Sequence, residues 1–189
     1  MINLAIFASG SGSNAQAIME YFKDHAKIKV VALLANKPSA FALERAKNYG
    51  IDTMVFDREK FKGNEVVEYL DNKNVDLIAL AGFLWLIPDQ YIKNYKILNI
   101  HPALLPKYGG KGLYGMYVHN AVKEAGDSFS GMTIHEVNEN YDEGSIIFQE
   151  SCPIEPDFTP DEIAESVLKL EHKNYPIVIE EYAIKNIKK

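Results

Sequence analysis

One cysteine, Cys152, stands in 189 residues. That excludes an intrachain disulfide and an all-cysteine metal cage, and it fits a reducing compartment. No apolar run approaches the ~20 residues that a membrane helix needs, and the opening M-I-N-L-A-I-F-A-S-G carries no basic segment of a secretory leader. The expectation is a soluble, cytoplasmic protein. Positive charge is scarce as well: 20 Lys and Arg against 26 Asp and Glu leave a net charge of -6, which opposes non-specific attraction to nucleic acid. The densest cationic stretch, Ile184 to Lys189, sits at the chain end, where cations complement a helix C-terminus. No repeat, low-complexity tract or Gly/Ser linker occurs. His25 reads as a surface residue, His119 as helical and His135 as a structural residue on a strand; none has metal-ligand spacing with a second His or Cys. Neither a metal, a membrane nor a nucleic acid is expected.

What is present is an aliphatic rhythm. With 47% hydrophobic residues, the chain suits one well-buried core, and a single domain over 1–189 is expected. Leu4 to Ala8, Val30 to Ala35, Thr53 to Phe56, Leu77 to Ala81 and Ile97 to Ile100 read as strands of a mainly parallel sheet. Asn14 to Phe22, Phe41 to Asn48, Glu65 to Lys73 and a short turn after Pro88 read as the helices between them. The fold class is therefore α/β: a Rossmann-like domain with a mostly parallel twisted sheet, a C-terminal antiparallel strand and helices on both faces. Phe129 to Val137 and Ser145 to Ile154 are strands joined by an acidic loop, Asn138 to Gly144, short enough for antiparallel pairing. Thr159, Pro160 and Glu162 form the start of a long helix, which Pro176 is expected to bend or break.

Two motifs carry candidate chemistry. In L-N-I-H-P, Asn99 and His101 are two apart on a strand and share a face, and Pro102 discourages further pairing. An amide and an imidazole aimed at one point can stabilise charge on an oxygen during acyl transfer. The same residues also read as a plain strand terminus with a half-buried His. In S-G-S-G-S-N-A, Gly10, Gly12 and Ala15 match the spacing of a phosphate-cradling turn, with the amides of Gly12, Ser13 and Asn14 opening the first helix. A glycine-rich turn capped by Ser13 is the equal alternative. No acidic residue stands near Ala35 and Asn36 to meet a dinucleotide ribose, and the loop lacks a G-K-[ST] ending, so a monophosphate is favoured. Trp85 reads either as core or as a flat wall for a heteroaromatic ligand. Asp142, in N-E-N-Y-D-E-G, is either solvated or brought by its loop to His101, whose charged form and orientation it would favour.

Taken together, S-G-S-G-S-N, N-I-H-P-A-L-L-P-K-Y, D-E-G and L-E-H-K-N-Y-P resemble the phosphoribosylglycinamide formyltransferases of the folate-dependent formyltransferase superfamily, over nearly the whole chain. N-x-H-P-x-L-L-P followed by D-x-G is common to the superfamily, whereas the glycine loop and L-E-H-K-N-Y-P point to glycinamide ribonucleotide. The resemblance implies a catalytic trio of Asn99, His101 and Asp142, a phosphate cradle of Gly12, Ser13 and Asn14, and Glu171 at the substrate's ribose. It implies that 10-formyltetrahydrofolate, the cosubstrate, lies along Leu84, Trp85, Leu86 and Ile87, with Asn138, Glu139, Asn140, Tyr141 and Asp142 folded against its pterin. It also implies a phosphate-binding half over about 1–100 and a folate and catalytic half over about 101–189. The chain departs from the commonest pattern at Asn64, Trp85 and Leu168, and in the loop K-Y-G-G-K-G-L-Y-G, where Lys111 offers a compensating charge.

The implied reaction is attack of the ribonucleotide's neutral amine on the formyl carbon. Protonated His101 and the Asn99 amide would stabilise the resulting oxyanion, and Asp142 would raise the pKa of His101 and help position water for proton transfer. The expected partners are these two small molecules, with the chain a monomer or homodimer. The alternatives are a formyltetrahydrofolate hydrolase, which normally carries an extra N-terminal domain, and a non-catalytic sensor of a phosphorylated metabolite. A methionyl-tRNA formyltransferase is disfavoured by the acidic charge and the lack of room for a C-terminal RNA-binding domain.

Overall fold

The five aliphatic runs are parallel strands in the computed structural model, which describes residues 1–188: β1 (Ile2–Ala8), β2 (Ile28–Ala35), β3 (Asp52–Val55), β4 (Leu77–Leu80) and β5 (Lys96–His101). Their unbroken aliphatic character has a physical cause, because a parallel strand is covered on both faces. In β1, Leu4, Ile6 and Ala8 belong to one apolar core while Ala5 and Phe7 belong to the other, as the two-residue repeat of a strand requires. The first core is closed by α1 (Ser13–Phe22), α2 (Ala42–Asn48), α6 (Met116–Glu124) and α7 (Pro160–Asn186), and the second by α3 (Arg58–Lys62), α4 (Glu65–Asn72) and α5 (Asp89–Asn94). The five-residue α3 was not anticipated. It is too short for an apolar period to show, and its start is fixed by Asp57, which accepts from the Lys60 amide at 2.9 Å.

The two strands expected after Ser128 complete the sheet, and both pair antiparallel. β6 (Phe129–Glu136) pairs with β5, and β7 (Ile146–Pro153) with β6, giving the order β3-β2-β1-β4-β5-β6-β7. Because β1 lies between β2 and β4, the winding reverses at β1 and β4, which is where such sheets open a crevice beyond their carboxyl ends.

The final helix departs from expectation in not being broken. Thr159 and Glu162 form the capping box that the sequence predicts, but α7 then runs unbroken through Pro176. A proline inside a helix costs about 3 kcal/mol. Here Tyr175, Pro176, Val178, Ile179 and Tyr182 are all buried, and that packing holds both flanking turns against the sheet. His25 differs too: it is half-buried, its Nδ1 accepts from the Lys27 and Ile28 amides at 3.2 and 3.0 Å, and its Nε2 lies 3.2 Å from Glu180. At the end of the cationic tail, Lys185 lies in the last turn of α7, and Lys189 lies outside the described residues.

Candidate active site

The glycine turn joins β1 to α1. Gly12 is left-handed with φ 73°, and no side chain caps the helix that begins at Ser13; the first amides are therefore not taken by a Ser13 or Gly12 cap. A Cβ at Gly12 would stand 2.5 Å from the Ala42 Cβ and 2.7 Å from its Cα. Glycine is thus needed twice over, for its dihedral and for the close approach of α2. Behind the turn, Arg45 donates from Nε to the Ser11 carbonyl at 2.9 Å. Gly12→Ala is expected to cost about 2–3 kcal/mol of stability through overpacking and strain, which a urea melt checks.

Across the crevice, β5 ends at His101, and its neighbour β6 sets Asn99 opposite His135 and His101 opposite Thr133. The loop between β6 and β7 brings in Asp142, a non-glycine residue at φ 58°. One Asp142 oxygen lies 3.5 Å from His101 Nδ1 and accepts from the Gly110 amide at 2.9 Å; the other accepts from Asn99 Nδ2 at 3.4 Å and lies 3.6 Å from His135 Nε2. The Asn99 amide nitrogen also lies 3.1 Å from His135 Nε2, while His135 Nδ1 donates to the Glu136 carbonyl at 2.8 Å. His101 Nε2 donates to the Tyr108 carbonyl at 2.8 Å.

Asn99, His101 and Asp142 therefore meet, and His135 joins them. His135 Nε2 accepts from the Asn99 amide and stands beside Asp142, a role that its alternation on a strand could not disclose because the β5–β6 register is invisible in sequence. Thr133 is a second unanticipated support. Its hydroxyl donates to the Ala103 carbonyl at 2.6 Å and accepts from the Leu105 amide at 3.0 Å, fixing the turn after His101.

The electrostatics differ from the sequence reading in one respect. Burial pulls the His101 pKa below the ordinary imidazole value, although Asp142 and the Tyr108 carbonyl act in the expected, opposite direction. Burial wins because the ring is only 4% exposed. For Asp142 the balance reverses: burial raises it, but His135, the His101 charge and the Gly110 amide outweigh that and hold the carboxylate below its usual range.

Glu171 comes from α7 and is buried, accepting from Asn14 Nδ2 at 2.7 Å. Burial pushes its pKa up to about 7, and the Asn14 hydrogen bond only partly opposes this. Below it, Tyr175 places its hydroxyl 3.1 Å from the Leu80 carbonyl and 3.0 Å from that of Leu98, tying α7 to the ends of β4 and β5. Ser9 bridges the two loops of the switch point: its amide donates to the Gly82 carbonyl at 3.1 Å and its Oγ accepts from the Leu84 amide at 3.2 Å.

The glycine turn, the Asn99–His101–Asp142 cluster and Glu171 border one cavity of about 830 Å³, whose lining includes Gly12, Ser13 and Asn14. Among the residues placed along a folate by resemblance, Leu84, Tyr141 and Asp142 line the cavity. Trp85 is turned into the second core against Phe56, Phe61 and Phe83, with the Arg58 guanidinium 4.4 Å above its ring; Ile87 is buried and Leu86 exposed. The half-buried indole packs against this aromatic cluster, and Trp85 is not among the described residues that line the cavity. Asn138, Glu139 and Asn140 lie outside the cavity lining among the described residues.

The family model described as formyl transferase matches residues 2–179. The chain belongs to this family. It is 44% identical over 185 residues to a chloroplastic phosphoribosylglycinamide formyltransferase of Arabidopsis thaliana, covering 93% of this chain and 63% of that one. It thus spans about three-fifths of that relative's length. The phosphoribosylglycinamide formyltransferase of Escherichia coli K12 is 36% identical over 191 residues, covering 96% and 87%. A crystal structure of glycinamide ribonucleotide transformylase 1 from Symbiobacterium toebii superimposes with a TM-score of 0.89 at 30% identity, covering 98% of this chain and 89% of that one. Membership of the formyl transferase family accords with the mixed sheet and with the position of the crevice at its switch point. No described helix is long and apolar enough to cross a membrane.

Proposed function

We propose that this formyl transferase family member transfers a formyl group from 10-formyltetrahydrofolate to the primary amine of glycinamide ribonucleotide, a step of de novo purine biosynthesis, as one formyltransferase domain acting in the cytoplasm. One observation carries the reading: an uncapped glycine turn, a buried carboxyl and the Asn99–His101–Asp142 cluster border a single cavity. The turn suits a phosphate, because helix-opening amides point at it with the positive end of the dipole. Glu171 suits ribose hydroxyls, which donate to a carboxylate. The names of the Arabidopsis and Escherichia coli relatives support formyl transfer to the same ribonucleotide. The lone free cysteine fits a reducing compartment.

The donor supplies an activated formyl carbon, and the apolar walls at Phe83, Leu84 and Leu113 suit its ring system. At the chemistry, His101 would donate to the formyl oxygen as negative charge gathers there, and Asn99 would donate beside it. Asp142 would hold His101 and favour its charged form. Both ring nitrogens of His101 face an acceptor in this conformation, Tyr108 on one side and Asp142 on the other. A reactant therefore reaches the imidazole by exchange with one of them, and the loop from Lys107 to Gly115, which carries Tyr108 and Gly110, is the segment that must yield.

Formate release and formylated product, each measured with and without glycinamide ribonucleotide, test the reading. Product that depends on the ribonucleotide supports it; formate released without the acceptor indicates a hydrolase, and the absence of any turnover indicates a sensor. Asn99→Ala and His101→Ala are each expected to lower kcat by about 10²–10³ while the chain still folds. Near-normal transfer in either variant, by a coupled assay, removes that residue from the chemistry.

A further inference from the structure

The cavity is acidic. Asp142, Asp161, Glu165 and Glu171 line it, and among its described lining residues Lys111 is the one Lys or Arg. A phosphate monoester brings about -1.5 to -2 charges of its own at neutral pH. Against these stand the opening amides of α1, whose dipole end is equivalent to about half a positive charge. The imidazoles add little: burial takes His119 down to about 4, and burial also lowers His101. His119 nonetheless marks the cavity as a polar ligand site. It is 4% exposed, it lines the cavity, and among the described residues its Nδ1 has no hydrogen-bond partner.

Lys111 is exposed, and no described carboxylate pairs with it. It stands between Gly110 at φ 98° and Gly112 at φ 93°, dihedrals that hold a side-chain-bearing residue only under strain. The same segment is fastened to the reaction centre at its base, through the Gly110 amide on Asp142 and the Tyr108 carbonyl on His101.

We propose that Lys111 is the specificity-determining cation of this site: its ammonium closes onto the phosphate held at the start of α1 and so selects phosphorylated over unphosphorylated acceptor. The inference rests on the functional reading above for the identity of the acceptor. Because one loop carries Lys111, Gly110 and Tyr108, phosphate capture and the exchange that frees His101 fall to the same segment.

Lys111→Met keeps an unbranched side chain and removes the charge; Lys111→Arg keeps the charge. For Lys111→Met, KM for glycinamide ribonucleotide is expected to rise about ten- to a hundredfold, the loss due to one charge-assisted hydrogen bond, with a much smaller change in kcat and in KM for the formyl donor. The preference for the ribonucleotide over the corresponding riboside, as a ratio of kcat/KM values, should collapse by the same factor. Lys111→Arg should restore most of it. An unchanged ribonucleotide KM, or an equal loss with the riboside, overturns the proposal. Calorimetry with ribose 5-phosphate keeps the two readings apart. If the wild-type chain formylates no glycinamide ribonucleotide, the functional reading fails, and a ten- to hundredfold weaker ribose 5-phosphate affinity in Lys111→Met still decides for Lys111, as an unchanged one decides against it.

Discussion

Asp142→Asn is expected to lower kcat for formyl transfer by about 10³-fold without unfolding the chain. The carboxylate oxygens face four groups at once, the Gly110 amide, Asn99 Nδ2, His101 Nδ1 and His135 Nε2. An asparagine offers one acceptor oxygen and turns an NH₂ toward the rest, so at least one of the four meets a donor where it had an acceptor. The larger loss is electrostatic. Burial already disfavours the imidazolium of His101, and Asp142 is the first of the groups that oppose it. With the charge gone, His101 should titrate at a still lower pH, and the fraction able to donate at neutral pH falls with it. Ring NMR of His101 in the two proteins checks the direction; a kcat within tenfold of wild type, or an unmoved titration, counts against the role. The stability sign is separate. Since Asp142 is held below its ordinary value in the folded chain, its contribution is present above about pH 4 and is lost as pH falls through the folded pKa.

The order of elements was legible because parallel strands must be aliphatic on both faces and the helices between them amphipathic. Asn99 and His101 could be placed together from a period of two alone. Their meeting with Asp142 stays one of two alternatives in the sequence, since it depends on a loop between two later strands, and only the resemblance favours it. Trp85 shows why an aromatic in the right stretch is weak evidence. Its neighbours in space, Phe56 and Phe61, are distant in sequence, and they hold the half-buried indole against the second core. His135 shows the converse, a residue with no local signature that register sets against Asn99. Pro176 does not break α7, because tertiary packing rather than propensity decides so buried a helix.

Glu171→Gln is expected to make the chain more stable and less active. The carboxyl titrates near 4.5 when unfolded and at about 7 when folded, because burial disfavours its charge. Between those values the folded state holds more protons than the unfolded state, so stability falls as pH rises through that window. The full cost above about pH 7 is of the order of 3 kcal/mol. Glutamine keeps an oxygen to accept from Asn14 Nδ2 and carries no charge to bury. At pH 8 its Tm should exceed that of wild type by roughly 6–12 °C, with the difference vanishing below about pH 4.5. Equal melting curves at both pH values would show that Glu171 is not buried as a charge. A group kept at such a cost has a use that an amide does not serve. In the proposed reaction a charged acceptor binds two ribose hydroxyls at the base of the cavity, beside the Asn14 that also opens α1, so Glu171→Gln should raise KM for the ribonucleotide about tenfold as it stabilises the fold.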